Sequence, residues 1–393
     1  MSIHRRHLLG LMGSSAAFGA FGTAHAAGGR DPRFVTIILR GALDGLSAVP
    51  PVGDPDFERV RGDLATIKAD AVSLNDLFAL NPAMPQFARL YKAGQGAVVH
   101  AVASPYRERS HFDGQDVLES GHEKTGYTRS GWMNRLLTVM PKGRAIPIKG
   151  LGVGATTPLV MRGEAEVLGW APSSLAPVDP DLPLRLMALY EQSDPLLLKV
   201  LTEGIETGKI AANMTQTNAR GGSADPAVMV QMAQGAANLM AQAEGPRMAA
   251  LAFDGWDTHT QELPRLARLL GGLDQAIAAF ETTLGPVWQD TTILVVTEFG
   301  RTVNINGTKG TDHGTGTVAF LAGGAVKGGR VIGNWPGLKD AQLYEGRDLM
   351  PTTDLRAVIK GIAADQFGVS GAALSSTVFP GSEPIAPMKG LTA

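Results

Sequence analysis

Residues 248–297 read MAALAFDGWDTHTQELPRLARLLGGLDQAIAAFETTLGPVWQDTTILVVT. The apolar runs Met248–Phe253 and Thr292–Thr297 are strand-length and offer no polar face, as expected of strands covered on both sides. Between them, Leu263, Leu266, Leu270, Leu273, Ile277, Phe280 and Leu284 recur at three- and four-residue steps. That is the period of a helix with one apolar stripe. Strand, long helix, strand predicts the crossover of a parallel sheet with helices on its faces.

Working outward, further strands are predicted at Phe34–Leu39 (FVTIIL), Ala97–Val102, near Ile146–Val153, and at Thr317–Leu321 (TVAFL). Leu355–Ala364 predicts a C-terminal helix capped by Thr353 or Asp354. Asp181–Gly208 and Pro226–Ala243 have helical composition with a polar link, Thr215–Asp225. They predict a helical insertion at about 180–245, packed beside the sheet and overhanging a site. Its methionines, Met229, Met232 and Met240, suit core filling better than a binding surface.

The first 26 residues, MSIHRRHLLGLMGSSAAFGAFGTAHA, have the layout of an export leader: Arg5-Arg6, a weakly apolar run, and Ala24-His25-Ala26 as cleavage site. The adjacent arginines point to the twin-arginine (Tat) export machinery and a periplasmic or secreted destination. Residues 27–393 are then read as one α/β domain. With no cysteine, disulfides, thiolate metal sites and cysteine nucleophiles are excluded. The formal charge is −2, and more negative once the leader's two arginines are removed. No concentration of positive charge suggests a nucleic-acid partner, and no run after the leader predicts a stable membrane span.

Acids, histidines and glycines gather just after predicted strands, where ligands sit in open parallel sheets. Asp44, in LDGLS, either reaches a cation or caps its own turn. Ser110-His111 opens a predicted helix behind Arg107 and Arg109. There a serine can attack or hold an anion, or serve as an ordinary N-cap. Asp257 and His259 lie two apart in one loop, and Glu298, Asp312 and His313 add two acids and an imidazole. Carboxylate plus imidazole suits zinc, manganese or iron; calcium, which favours all-oxygen shells, suits it less. After the leader only five histidines remain, and His111, His259 and His313 all lie in these clusters.

RGALDGLSAVPP, SPYRERSHFDGQDVLESG, GWDTHTQ and VVTEFGRTVNINGTKGTDHGTG, with the leader, resemble the DUF1501 family of exported bacterial proteins. That family belongs to the alkaline phosphatase/sulfatase-like superfamily of metal-dependent hydrolases. The resemblance implies a three-layer αβα sandwich with a mostly parallel central sheet and the site at the strand ends. It implies metal roles for Asp44 and Glu298 on one ion, for Asp257, His259 and His313 on another, and for Asp312 at either, with one or two divalent ions in all. Ser110 is implied as nucleophile. Ser110 or a metal-bound water would then attack, Arg107 or Arg109 would clamp a small anionic ester, and a metal-held water or His111 would protonate the leaving group. Ala103-Ser104-Pro105-Tyr106-Arg107 places alanine where related sulfatases carry the residue converted to formylglycine, which argues against that chemistry. The expected function is an exported metal-dependent hydrolase of a phosphate ester or related anionic ester. The alternatives are a metal-dependent enzyme acting on another bond, and a non-catalytic periplasmic binding or assembly protein on the same fold.

Overall fold

The computed structural model describes residues 30–126, 129–141, 149–172 and 222–393, with scattered positions between 186 and 205. The leader, and half of Asp181–Gly208, lie outside the described residues. From Pro32 to Ala393 the chain is one compact unit.

Its centre is the strand β1, Arg33–Leu39, buried along its whole length. Alternate side chains point to opposite faces of a strand. Val35, Ile37 and Leu39 therefore enter one apolar core, while Phe34 and Ile38 enter a second on the other side. The remaining strands of the large sheet are β2 (Gly96–Ala103), β3 (Gly150–Val153), β4 (Val167–Trp170), β5 (Met248–Phe253), β6 (Thr291–Thr297), β7 (Thr317–Ala322), β8 (Arg330–Ile332) and β9 (Thr353–Asp354). They lie in the order β8-β2-β7-β6-β1-β5-β3-β4, with β9 also on β2. β1 pairs in parallel with β5 and β6, Ile37 standing opposite Leu251 and Val295. Only β7 runs antiparallel, against both β2 and β6. The sheet is thus mixed but mostly parallel, and the predicted crossover from β5 to β6 passes over β1.

The helices divide between the two faces. On one lie α1 (Pro85–Lys92), α4 (Pro226–Ala241) and α5 (Glu262–Leu284), contributing Phe87, Met229, Leu270, Ile277 and Phe280 to the first core. On the other lie α2 (His111–Ser120), α3 (Trp132–Thr138) and α6 (Leu355–Phe367), contributing Leu118, Trp132, Val358 and Ile362. The three layers are those of an αβα sandwich. Met229, Met232 and Met240 are buried core residues, as their setting in an apolar helix suggests. The described half of the predicted insertion, α4, lies within the helical layer, packed on α5. Asp354 caps α6 by accepting from the Arg356 amide at 2.8 Å. β4, β8 and β9 carry no long apolar run, and edge strands that short leave little sequence signal.

One contact locks two helices of the same layer. The N-cap of α1 is Met84, which makes no side-chain capping bond. Asp274, buried in the middle of α5, supplies the cap by accepting from the amides of Gln86 (3.1 Å) and Phe87 (2.8 Å). A helix start left without an acceptor carries unpaired buried N–H groups. Asp274→Ala is expected to lower stability by about 1–2 kcal/mol, the usual worth of a cap. Urea denaturation of the variant checks this.

Candidate metal centre

The carboxyl ends of β1, β2, β5 and β6 open on one edge of the sheet, and β7 enters from that edge. Their loops carry the chemistry. α2 approaches the β6 exit closely because residue 114 is glycine: a Cβ there would stand 2.9 Å from the Phe299 ring. That approach stacks the His111 ring on Phe299, centroids 5.1 Å apart. Arg301 and His313 pair as an isolated antiparallel bridge, with the Gly314 amide on the Gly300 carbonyl at 2.8 Å. Gly310 lets the same loop touch the chain at His259, where a Cβ would meet the backbone at 2.3 Å.

These approaches bring His111, Asp257 and His313 together, with ligand atoms all within 4.8 Å of one another. His259 joins them. Its Nε2 lies 3.0 Å from Asp257 Oδ1 and 3.1 Å from His313 Nε2. His313 Nε2 is 3.3 Å from Asp257 Oδ1, and His111 Nε2 is 3.5 Å from Asp257 Oδ2.

Which nitrogen of each ring carries hydrogen follows from its other neighbour. His111 Nδ1 faces Glu298 Oε1 at 2.9 Å, His259 Nδ1 faces Asp312 Oδ1 at 3.1 Å, and His313 Nδ1 faces the Arg109 carbonyl at 3.0 Å. Carboxylate and carbonyl oxygens accept only, so each Nδ1 must donate. In the neutral rings all three Nε2 atoms then present lone pairs toward Asp257. The buried Nε2 of His111 has no hydrogen-bond partner. This is the outer-shell pattern that orients metal-ligating imidazoles. Spacings of 3.0–3.5 Å to Asp257, within a spread of at most 4.8 Å among His111, Asp257 and His313, leave room for one ion between these side chains. His111, Asp257 and His313 fit a single divalent cation, with His259 beside them.

The expected roles are redistributed accordingly. Glu298 is buried, and its carboxylate is spent on the amide of Gly41 (2.8 Å), Gln115 Nε2 (3.2 Å), the Thr297 hydroxyl (2.8 Å) and His111. It holds His111 from behind, and Asp312 does the same for His259. Asp44 does not join the cluster. It caps the turn Gly45–Ala48, accepting from Leu46 at 3.0 Å, and forms a buried ion pair with Arg61. His111, expected to donate a proton, stands among the cation-facing imidazoles.

Neither expected arginine points a free guanidinium at the centre. Arg107 folds back on the carbonyls of Ser104 and Tyr106. Arg109 is paired with Asp348 and Glu345. The arginine that does reach the centre is Arg301, in the EFGR motif. Its Nη1 donates to Asp257 Oδ1 at 2.5 Å, while Nε and Nη2 are held by Thr311. Its position beside Glu298 at a strand exit was the available signal. Ser110 opens α2, and its side chain makes no capping bond.

Charges follow this wiring. Hydrogen bonding to Glu298 raises the His111 pKa above 6.5 despite partial burial. Burial lowers that of His313, with His111 and Arg301 adding to the effect. Burial opposes ionisation of Asp257 and Glu298, but Arg301 holds the first, and His111 with the Gly41 amide the second, below the usual carboxylate range.

The family model described as "Protein of unknown function (DUF1501)" matches residues 31–378. No curated protein matches. Among solved structures, Ps i-CgsB, crystallised with k-i-k-neocarrahexaose, is similar at 12% identity and TM-score 0.42, over 86% of this chain and 72% of that one. Alkaline phosphatase from the Antarctic bacterium TAB5 is similar at 12% identity and TM-score 0.37, over 75% and 92%. The C-terminal periplasmic domain of EcEptC from Escherichia coli, in complex with Zn, is similar at 9% identity and TM-score 0.36, over 75% and 73%.

The His111–Glu298 pair gives a pH-dependent prediction for cation-free protein. A raised histidine pKa contributes stability that is complete below the unfolded value, 6.5, and is lost as pH rises through the folded one. The depressed Glu298 pKa contributes stability lost only as pH falls through it, well on the acid side. Stability should therefore decline as pH rises above 6.5 through the raised His111 pKa, and Glu298→Gln should flatten that decline. Denaturant titrations of both proteins across this range, in chelator, check it.

Proposed function

As the chain belongs to the DUF1501 family, we propose that it is an exported metal-dependent hydrolase of a phosphate ester or related anionic ester. One observation carries this reading: three imidazole Nε2 atoms, each with its Nδ1 committed to an acceptor, converge on the Asp257 carboxylate. His111, His259, His313 and Asp257 would hold one divalent cation of the zinc, manganese or iron class. A second ion is not part of the reading, because Asp44 and Glu298 are spent elsewhere. When bound, such a cation neutralises ester oxygens and lowers the pKa of a coordinated nucleophile.

The chain's own residues supply the rest. Ser110 precedes His111 at the start of α2, where first-turn amides favour negative charge, and its side chain, which makes no capping bond, supports a nucleophilic role. Arg301 keeps Asp257 ionised and adds positive charge beside the site. Export rests on the leader, and no helix among the described residues is long and apolar enough to cross a membrane. A non-catalytic binding protein is the second reading. It is favoured by Arg301, which already neutralises one oxygen of Asp257.

Metal analysis of the protein exported by its own host should find one equivalent of divalent cation. At a hundred times Kd the cation should add about 2.7 kcal/mol of stability. Asp257→Ala and His313→Ala should lose the ion. Ser110→Ala should keep it, while its rate on phosphomonoesters, phosphodiesters or sulfate esters falls on the order of a thousandfold or more. Native protein without metal, and with a melting temperature indifferent to divalent ions, would overturn the metal reading. Full metal with no turnover across the panel would select the binding protein.

A further inference from the structure

Arg109 has a backbone φ of +62°, a left-handed conformation that is costly for a side chain of its kind. Its side chain is held at the same time by two acids. Nε and Nη2 donate to Asp348 Oδ2 at 2.9 and 2.7 Å, and Nη2 donates to Glu345 at 2.6 Å. Asp348 is fully buried, and it gathers more than Arg109. It accepts from the Thr315 hydroxyl at 2.7 Å and from Arg347 Nε at 2.9 Å, while Arg347 also donates to the His313 carbonyl. The three side chains that the Asp348 carboxylate ties, Arg109, Thr315 and Arg347, all belong to segments that border His313. The single bond that crosses from this assembly to the imidazole is His313 Nδ1 to the Arg109 carbonyl.

We propose that Arg109 and Asp348 are positioning residues for His313: their ion pair holds the strained turn that aims the Arg109 carbonyl at Nδ1, and so turns Nε2 toward Asp257. The inference rests on the cation reading above and deepens it. It reverses the role expected for Arg109, whose carbonyl acts while its guanidinium serves as an anchor. Thr315 and Arg347 secure the other side of the same loop.

The distinguishing experiment compares Arg109→Ala with Arg109→Gly. Glycine adopts this φ without strain and keeps the carbonyl; alanine keeps the strain and loses the anchor. Two readouts are used on full-length mature protein: the His313 tautomer by nitrogen-15 NMR of the cation-free form at mildly alkaline pH, and Co2+ affinity with its visible absorption. Wild type should show His313 protonated at Nδ1. Arg109→Ala should give a tautomer mixture and about 10–100-fold weaker Co2+ binding, the usual scale for an outer-shell partner. Arg109→Gly should lose less on both counts, and Asp348→Asn should follow the alanine variant. A folded Arg109→Ala with wild-type tautomer and affinity would overturn the proposal, as would equal losses in the glycine and alanine variants. If wild type took up no Co2+, the cation reading would fall, while the tautomer comparison would still decide the positioning role.

Discussion

Lone pairs repel, and the site of this protein is built by steering three imidazole lone pairs toward one carboxylate. Each ring is pinned from behind by an oxygen that can only accept: Glu298 for His111, Asp312 for His259, the Arg109 carbonyl for His313. Without those oxygens any ring could place its proton on Nε2 and relieve the repulsion through a hydrogen bond to Asp257. With them, the relief comes from a second proton on a ring or from a positive charge between the nitrogens. Arg301 offers a partial answer from one side, reaching a single carboxylate oxygen. The fold therefore spends its outer contacts on keeping the inner ones unsatisfied by protein alone.

A second buried assembly stands behind the first. Asp44, Arg61, Ser47 and Glu262 are all removed from solvent. The Ser47 hydroxyl donates to Glu262 at 2.8 Å, and Arg61 donates to Ser47 at 2.7 Å and to the carbonyls of Thr302 and Val303. Burial opposes ionisation of Asp44, yet Arg61 keeps it below the ordinary carboxylate range, whereas burial and the nearby Asp44 push Glu262 up. From Glu262 the chain of bonds continues through the Thr311 hydroxyl at 2.6 Å to Arg301, and so to Asp257. An unpaired charge here would cost several kcal/mol. The β1 exit loop and the cation-facing loops are thus linked by one polar core.

The sheet was largely legible because its strands are apolar runs and its longest helix repeats its leucines at helical spacing. All six predicted strand regions carry strands of the large sheet, though the start of the one near Ile146–Val153 lies outside the described residues. The antiparallel course of β7 was not legible, since direction leaves no mark on a fully buried run. Composition also brought the right histidines to the right edge. What it could not give was the direction in which each side chain leaves a loop. Asp44 turns back because its own amide neighbours are the nearest donors. Arg107 finds carbonyls within three residues. Arg109 is aimed by a backbone angle that no residue pattern announces. Asp348 drew no attention, for an isolated acid far along the chain shows nothing of what it gathers.

The four clustered residues come from three stretches of the chain spread between positions 111 and 313. The set stays incomplete until His313 is made and the strand that follows it has taken its place between β2 and β6. A chain growing on the ribosome, amino terminus first, therefore has no site for the ion during most of its synthesis. Whatever ion it comes to hold must be captured late, by a nearly finished sheet. Its identity would be set by the metal pool surrounding the protein when β7 closes that gap.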